Sequence, residues 1–246
     1  MNTAWFRFYE ELNDFLPPGR KKNEFPYSFN GNPSVKDAIE AIGIPHVEVD
    51  LILVNGLSVD FSHNIQNEDR ISVYPVFESL DISPLIKLRH KPLRDPKFIA
   101  DVHLGKLARY LRMCGFDTCC DPDLGDRDII EISRASRRVI LTRDRGLLKN
   151  KLVTHGYWIR SQKPMEQLKE VVLRLDLQNR IDPFTRCMEC NGTLEEVEKV
   201  IVEDALQEKT KKYYSQFKKC SGCGRIFWEG SHFMKMDKVI NELKGL

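Results

Sequence analysis

A chain of 246 residues, 41% apolar and 30% charged, is long enough to bury a core in one or two domains plus a small module. No apolar run approaches the ~20 residues that span a bilayer, and Arg7, Glu10, Glu11 and Asp14 interrupt any signal-peptide core. The expectation is therefore a soluble, cytoplasmic protein with no membrane contact.

The formal net charge of +2 hides an uneven distribution. Residues 1–82 carry 6 Lys/Arg against 13 Asp/Glu, residues 83–165 carry 18 against 9, and residues 166–246 carry 14 against 14. The basic middle suits a polyanion such as a phosphate backbone, and a solvated basic face is the other reading of the same counts.

Residues 1–82 predict a small mixed domain. Ala4–Tyr9 suits a strand, and Ser34 suits the cap of a helix through Ile42, with Val35, Ala38, Ile39 and Ile42 at helical spacing. Val47–Val54 reads as a strand entering an Asn55-Gly56 hairpin turn, and Arg70–Pro75 as another strand. Strand, helix and later strands in this order give a β-grasp. The stretches 54–60 and 68–75 resemble ubiquitin-like sulfur carriers. Those end in a free Gly-Gly tail, whereas this chain continues through Val76, Phe77 and Glu78, which points to an interaction module with a protein partner. Residues 83–97, rich in Pro, Lys and Arg, read as a basic linker.

Residues 98–182 alternate strand and helix, the pattern of a parallel sheet covered by helices. Phe98–Asp101 is a strand. Leu104, Leu107, Ala108 and Leu111 mark an amphipathic helix that Gly115 stops. A second strand is expected over 116–120, a helix behind an Asp126 cap, and a third strand over 138–142. A short helix over 144–151, a strand over 157–159 with Trp158 in the core, and a helix over 164–177 complete the domain. Two strands thus run into Asp101 and Asp144, where carboxyl ends of parallel strands gather ligands. Capping and metal binding are both open roles for Asp101, Asp126 and Asp144, since all three precede helices.

Cys187-x-x-Cys190 and Cys220-x-x-Cys223 read as a tetrahedral zinc site spanning 183–232, structural because four thiolates leave no open position. The 29 residues between the pairs imply a long hairpin. A disulfide framework is the alternative, disfavoured by the odd count of remaining cysteines. Cys114, Cys119 and Cys120 suit small core positions. Lys209, Lys211, Lys212, Lys218 and Lys219 interleave with Tyr213, Tyr214 and Phe217, a mix that single strands favour and that a solvated hairpin also displays. Residues 233–246 suit a last helix, through Phe233, Met236, Val239, Ile240 and Leu243, packing on the α/β domain.

The stretches 98–112, 115–117, 126–132, 138–144 and 217–232 together resemble the PIN-like ribonucleases of the Mut-seven C-terminal family, and residues 1–82 resemble the ubiquitin-like domain that accompanies it. The resemblance implies an α/β fold: a PIN-like parallel sheet flanked by helices, plus an N-terminal β-grasp and a zinc ribbon. It also implies a metal-dependent endoribonuclease whose Asp101, Asp126 and Asp144 hold Mg²⁺ or Mn²⁺, oxygen ligands suiting hard cations. A fourth acid would come from Asp121, Asp123 or Asp128. Arg109, Arg112, Arg143 and Arg145 are candidate phosphate contacts on RNA, with ordinary surface charge as the alternative. His103 and His232 suit structural roles. Two rival readings remain: a catalytically inactive RNA- or ribosome-binding adaptor, and a receiver-like domain with Asp101 as phospho-acceptor, which lacks an evident partner lysine.

Overall fold

The computed structural model describes residues 1–75 and 96–246. The first region contains β1 (Asn2–Phe8), β2 (Phe25–Phe29), α1 (Val35–Ile42), β3 (Val49–Val54), β4 (Leu57–Val59) and β5 (Arg70–Pro75). Their sheet order is β2-β1-β5-β3-β4, with β1 and β5 parallel and the remaining pairs antiparallel, a β-grasp. A reciprocal capping box fixes the start of α1, Ser34 accepting from the Asp37 amide and Asp37 accepting from that of Ser34. The apolar face of α1, Val35, Ala38 and Ile39, is buried with Phe6, Phe8, Ile52 and Val73. Asn55 and Gly56, at φ 50° and 83°, make the β3–β4 turn that their sequence promised.

Two local expectations change. His46–Glu48 forms a 3-10 turn, so the strand expected from Val47 begins at Val49. Strand β2 escaped prediction because Pro26 sits inside it; a proline is tolerated there because β2 lies at the edge of the sheet.

The chain continues through β6 (Lys97–Ala100), α2 (Gly105–Met113), β7 (Thr118–Cys119), α3 (Asp126–Ser136), β8 (Arg138–Thr142), α4 (Arg145–Leu148), β9 (Gly156–Trp158) and α5 (Pro164–Arg174). The linker expected at 83–97 lies outside the described residues except for its end, where Lys97 opens β6. The β6 strand pairs in parallel with β7 on one side and β8 on the other. Phe98, Ile99, Ile140 and Leu141 are buried in both directions, as a covered parallel sheet requires. Helix α2 buries Leu107, Ala108 and Leu111, and α5 buries Leu168, Val171 and Val172. Gly115 ends α2 at φ 94°, and a Cβ there would collide with the Asp182 carbonyl oxygen. The strand expected over 116–120 shortens to β7, and the helix expected over 144–151 to the single turn of α4.

The last region holds β10 (Leu194–Val197), α6 (Lys199–Val202), α7 (Glu208–Tyr213), β11 (Phe217–Cys220), β12 (Ile226–Trp228) and α8 (Ser231–Lys244). Strands β10, β11 and β12 form an antiparallel sheet over a small core of Val202, Leu206 and Phe217. Helix α8 buries Ile240 and Leu243 and packs Phe233 against Phe184 in a tilted contact, 4.5 Å between ring centroids. Contacts group residues 1–75, 133–135 and 142–158 into one unit and residues 96–132, 136–141 and 159–246 into another. Among the described residues no helix is long and apolar enough to cross a membrane.

Candidate metal centres

Two tight turns carry the four cysteines, one before β10 and one at the end of β11. The sulfurs of Cys187, Cys190, Cys220 and Cys223 all lie within 4.8 Å of one another. Cys187 and Cys223 are 3.8 Å apart and Cys190 and Cys220 3.3 Å. A tetrahedron with Zn–S bonds of about 2.3 Å has edges of about 3.8 Å, so the donor set and its spacing fit one zinc ion. Backbone amides support the sulfurs: those of Gly222 and Cys223 donate to Cys220 Sγ at 3.3 and 3.5 Å. The Gly192 backbone N–H, with the neighbouring sulfurs behind it, draws the Cys190 thiol down to about 6, toward the thiolate a metal needs. Gly192 belongs to the site by its size, since a Cβ there would stand 2.9 Å from Cys220 Sγ.

The first cysteine turn is also tied to the parallel sheet. Asn191, at φ 68°, donates from Nδ2 to Asp117 Oδ1 at 2.7 Å and accepts from the Thr118 amide at 3.0 Å. Arg138 grips the Asp117 carboxylate with two nitrogens, at 2.7 and 3.2 Å. Burial pushes the Asp117 pKa up, but the hydrogen bonds from Arg138 and Asn191 outweigh it and hold the carboxyl below its usual range. Sequence reasoning missed this hub because the partners of Asp117, Arg138 and Asn191, lie 21 and 74 residues further along the chain.

The aspartates occupy the strand ends expected of them. Asp101 follows β6, its amide donating to the Leu141 carbonyl of β8 at 3.0 Å, and its Oδ1 accepts from the His103 amide at 3.3 Å. Asp144, two residues beyond β8, is the N-cap of α4 and accepts from the Gly146 amide at 2.7 Å. Asp126 departs from expectation: it is the first residue inside α3, while Asp128 accepts from the Gly125 amide at 3.2 Å. Of the other acids considered, Asp121 accepts from the Asp123 amide at 3.0 Å. Among the described residues the cysteines alone form a group of metal-binding side chains within mutual reach of one ion; the aspartates do not.

The four arginines separate. Arg112 is a correction: it is 5% exposed and donates to the carbonyls of Thr118, Met188 and Glu189, so it joins α2 to the first cysteine turn. Its guanidinium is spent inside the protein and faces no solvent phosphate. Arg109 is exposed and paired with Glu189 at 2.6 Å. Arg143 is exposed, and Arg145 lies 4.0 Å from the Trp158 ring. His103 and His232 are exposed. Cys114 is buried, and burial pushes its thiol up to about 12.

The basic-aromatic mix of the last region divides, with Lys209, Lys212, Tyr213 and Lys219 exposed and the rest turned at least partly inward. Phe217 is core, Lys218 donates to the Phe184 carbonyl at 3.2 Å, and Lys211 pairs with Glu208. Beside it, Phe184, Phe217, Phe227, Trp228 and Phe233 line a cavity of about 490 Å³ edged by Glu196, Glu198 and Glu229.

Comparison with known proteins agrees with this architecture. The model of the Mut7-C ubiquitin domain matches residues 1–81, and that of the Mut7-C RNAse domain matches residues 96–240. No curated protein matches. Two crystal structures of small archaeal modifier protein 1 from Haloferax volcanii are similar at 14% and 15% identity. They cover 31% and 32% of this chain and all of their own, each with a TM-score of 0.26. With more than half its length matched by the ribonuclease model and a ubiquitin-like domain in front, the chain belongs to the Mut7-C RNAse family.

Proposed function

We propose that this protein is a metal-dependent endoribonuclease in which Asp101, Asp126 and Asp144 hold Mg²⁺ or Mn²⁺ and the cysteine centre holds a structural zinc. The reading is carried by the placement of Asp101 and Asp144 just past the carboxyl ends of β6 and β8, strands that pair in parallel. Asp101 and Asp144 would be the direct ligands, and Asp126 would complete the cluster or position a water. Held there, a divalent ion would supply Lewis-acid activation of a water and would offset charge on the phosphate. Arg109, Arg143 and Arg145 orient the RNA backbone, and the basic composition of residues 83–165 raises the local concentration of that polyanion.

The test is cleavage of single-stranded and structured RNA, with DNA as control, by the wild type and by Asp144→Asn with either ion. The wild type should cut internally, leaving 5′-phosphate and 3′-hydroxyl ends. The variant should fold and lose more than about 100-fold in rate, as the removal of several kcal/mol of metal stabilisation requires. Unchanged cleavage by Asp144→Asn overturns the site, and RNA binding without cleavage by the wild type identifies an adaptor.

A further inference from the structure

Asp144 caps a helix of a single turn, and one turn has no stability of its own, so the orientation of this carboxylate must be set from outside α4. Residues 142–158 form one compact unit with the ubiquitin-like domain, and the contacts inside that unit converge on the two neighbours of Asp144. On one side, the indole Nε1 of Trp158 donates to the Arg143 carbonyl at 3.2 Å. On the other, the Arg145 guanidinium lies 4.0 Å from the Trp158 ring and 5.1 Å from that of Phe15.

Trp158 is itself fixed by the ubiquitin-like domain. Its ring packs on Phe15 at 4.7 Å, and its backbone N–H donates to Oε1 of Glu48 at 2.6 Å, Glu48 being 1% exposed. The far end of the segment is held as well: Lys149 Nζ donates to the Glu40 carbonyl at 3.0 Å, and His46 Nε2 lies 3.0 Å from the Val153 carbonyl oxygen.

We infer that the ubiquitin-like domain is the positioning device for Asp144, with Phe15, Glu48 and Trp158 as positioning residues. Its consequence for catalysis rests on the nuclease reading above; the positioning itself rests on these contacts alone. A carboxylate that must meet a metal to within about 0.5 Å needs such a support, and a misplacement of about 1 Å costs about 100-fold in rate.

The experiment is amide hydrogen exchange on the full chain, with the Gly146 N–H that donates to Asp144 as reporter, alongside metal-dependent RNA cleavage. Phe15→Ala and Glu48→Met remove the ring and the acceptor. Glu48→Gln keeps an oxygen for the Trp158 amide. Tyr27→Ala truncates a partly buried ring of the same core that packs on Phe6 and Phe29.

In the first two variants the amides of residues 143–150 should exchange about tenfold faster, and kcat should fall about tenfold with KM within about twofold. Glu48→Gln and Tyr27→Ala should keep wild-type protection there. Unchanged exchange at Gly146 in both disruptive variants, or equal acceleration in Tyr27→Ala, overturns the inference. If the wild type cleaves no RNA, the nuclease reading fails and the exchange data still decide the positioning.

Discussion

The cysteine cluster and the three aspartates offer soft and hard donors respectively, and they are placed by opposite means. Each Cys-x-x-Cys turn places two ligands by local geometry, and one strand pairing, β10 with β11, brings the two turns together. Four sulfurs within 4.8 Å result, with backbone amides already aimed at them. The aspartates come from the ends of separate elements, and the capping bonds of Asp101 and Asp144 hold each carboxylate to its own backbone. A closed site of soft ligands is assembled by the fold. The hard donors Asp101 and Asp144 are each anchored through Oδ1 to a backbone amide two residues on.

Loss of one ligand from the cysteine centre should have the largest effect. Structural zinc contributes about 10–16 kcal/mol of apparent binding energy in small zinc domains, so Cys190→Ser should lose the metal and melt β10–β12. Metal analysis should fall from one zinc per chain to none, and the thermal midpoint should drop by more than about 10 °C. Retention of one zinc with an unchanged midpoint would show that the four sulfurs are not the site.

Next in size is the brace between the cysteine turn and the parallel sheet. Asp117→Ala leaves Arg138 without its bidentate partner and Asn191 without its acceptor, at a cost of about 3 kcal/mol in denaturant unfolding. Because the folded-state pKa of Asp117 is depressed below 3.8, its contribution is fully present above about pH 4. It is lost as pH falls through the lower folded value. The acid limb of the stability curve should therefore be shallower in Asp117→Ala than in the wild type.

The two centres were unequally legible in sequence. The cysteine spacing and the β-grasp order rest on local rules: two-residue turns, a helix cap at Ser34, an Asn-Gly hairpin. The parallel strands were legible because Phe98–Ala100 and Val139–Leu141 are continuous apolar runs. What could not be read depends on distant partners. Arg112 looked like a surface cation on a helical face, and only the fold shows that the carbonyls of Met188 and Glu189 claim it. Asp117 fell within the strand expected over 116–120, and nothing local named Arg138 and Asn191 as its partners. Trp158, expected in the α/β core, packs against the ubiquitin-like core, because its partners Phe15 and Glu48 lie more than a hundred residues earlier.

The smallest stability effect separates the capping role of Asp144 from the metal-ligand role proposed for it. As the N-cap of α4 its carboxylate satisfies the Gly146 amide, and losing a cap costs about 1 kcal/mol. Asp144→Ala should therefore lower stability by about that amount, while Asp144→Asn, whose amide oxygen still accepts from Gly146, should stay within about 0.5 kcal/mol of the wild type. A capping role alone would make activity follow stability, with Asn near the wild type and Ala impaired. A metal ligand behaves differently, because the neutral amide is a poor substitute for a carboxylate at a hard cation, so both variants should be equally inactive despite their unequal stabilities. Unfolding curves and metal-dependent cleavage rates measured on the same three proteins distinguish the cases, since only the second breaks the correlation between them.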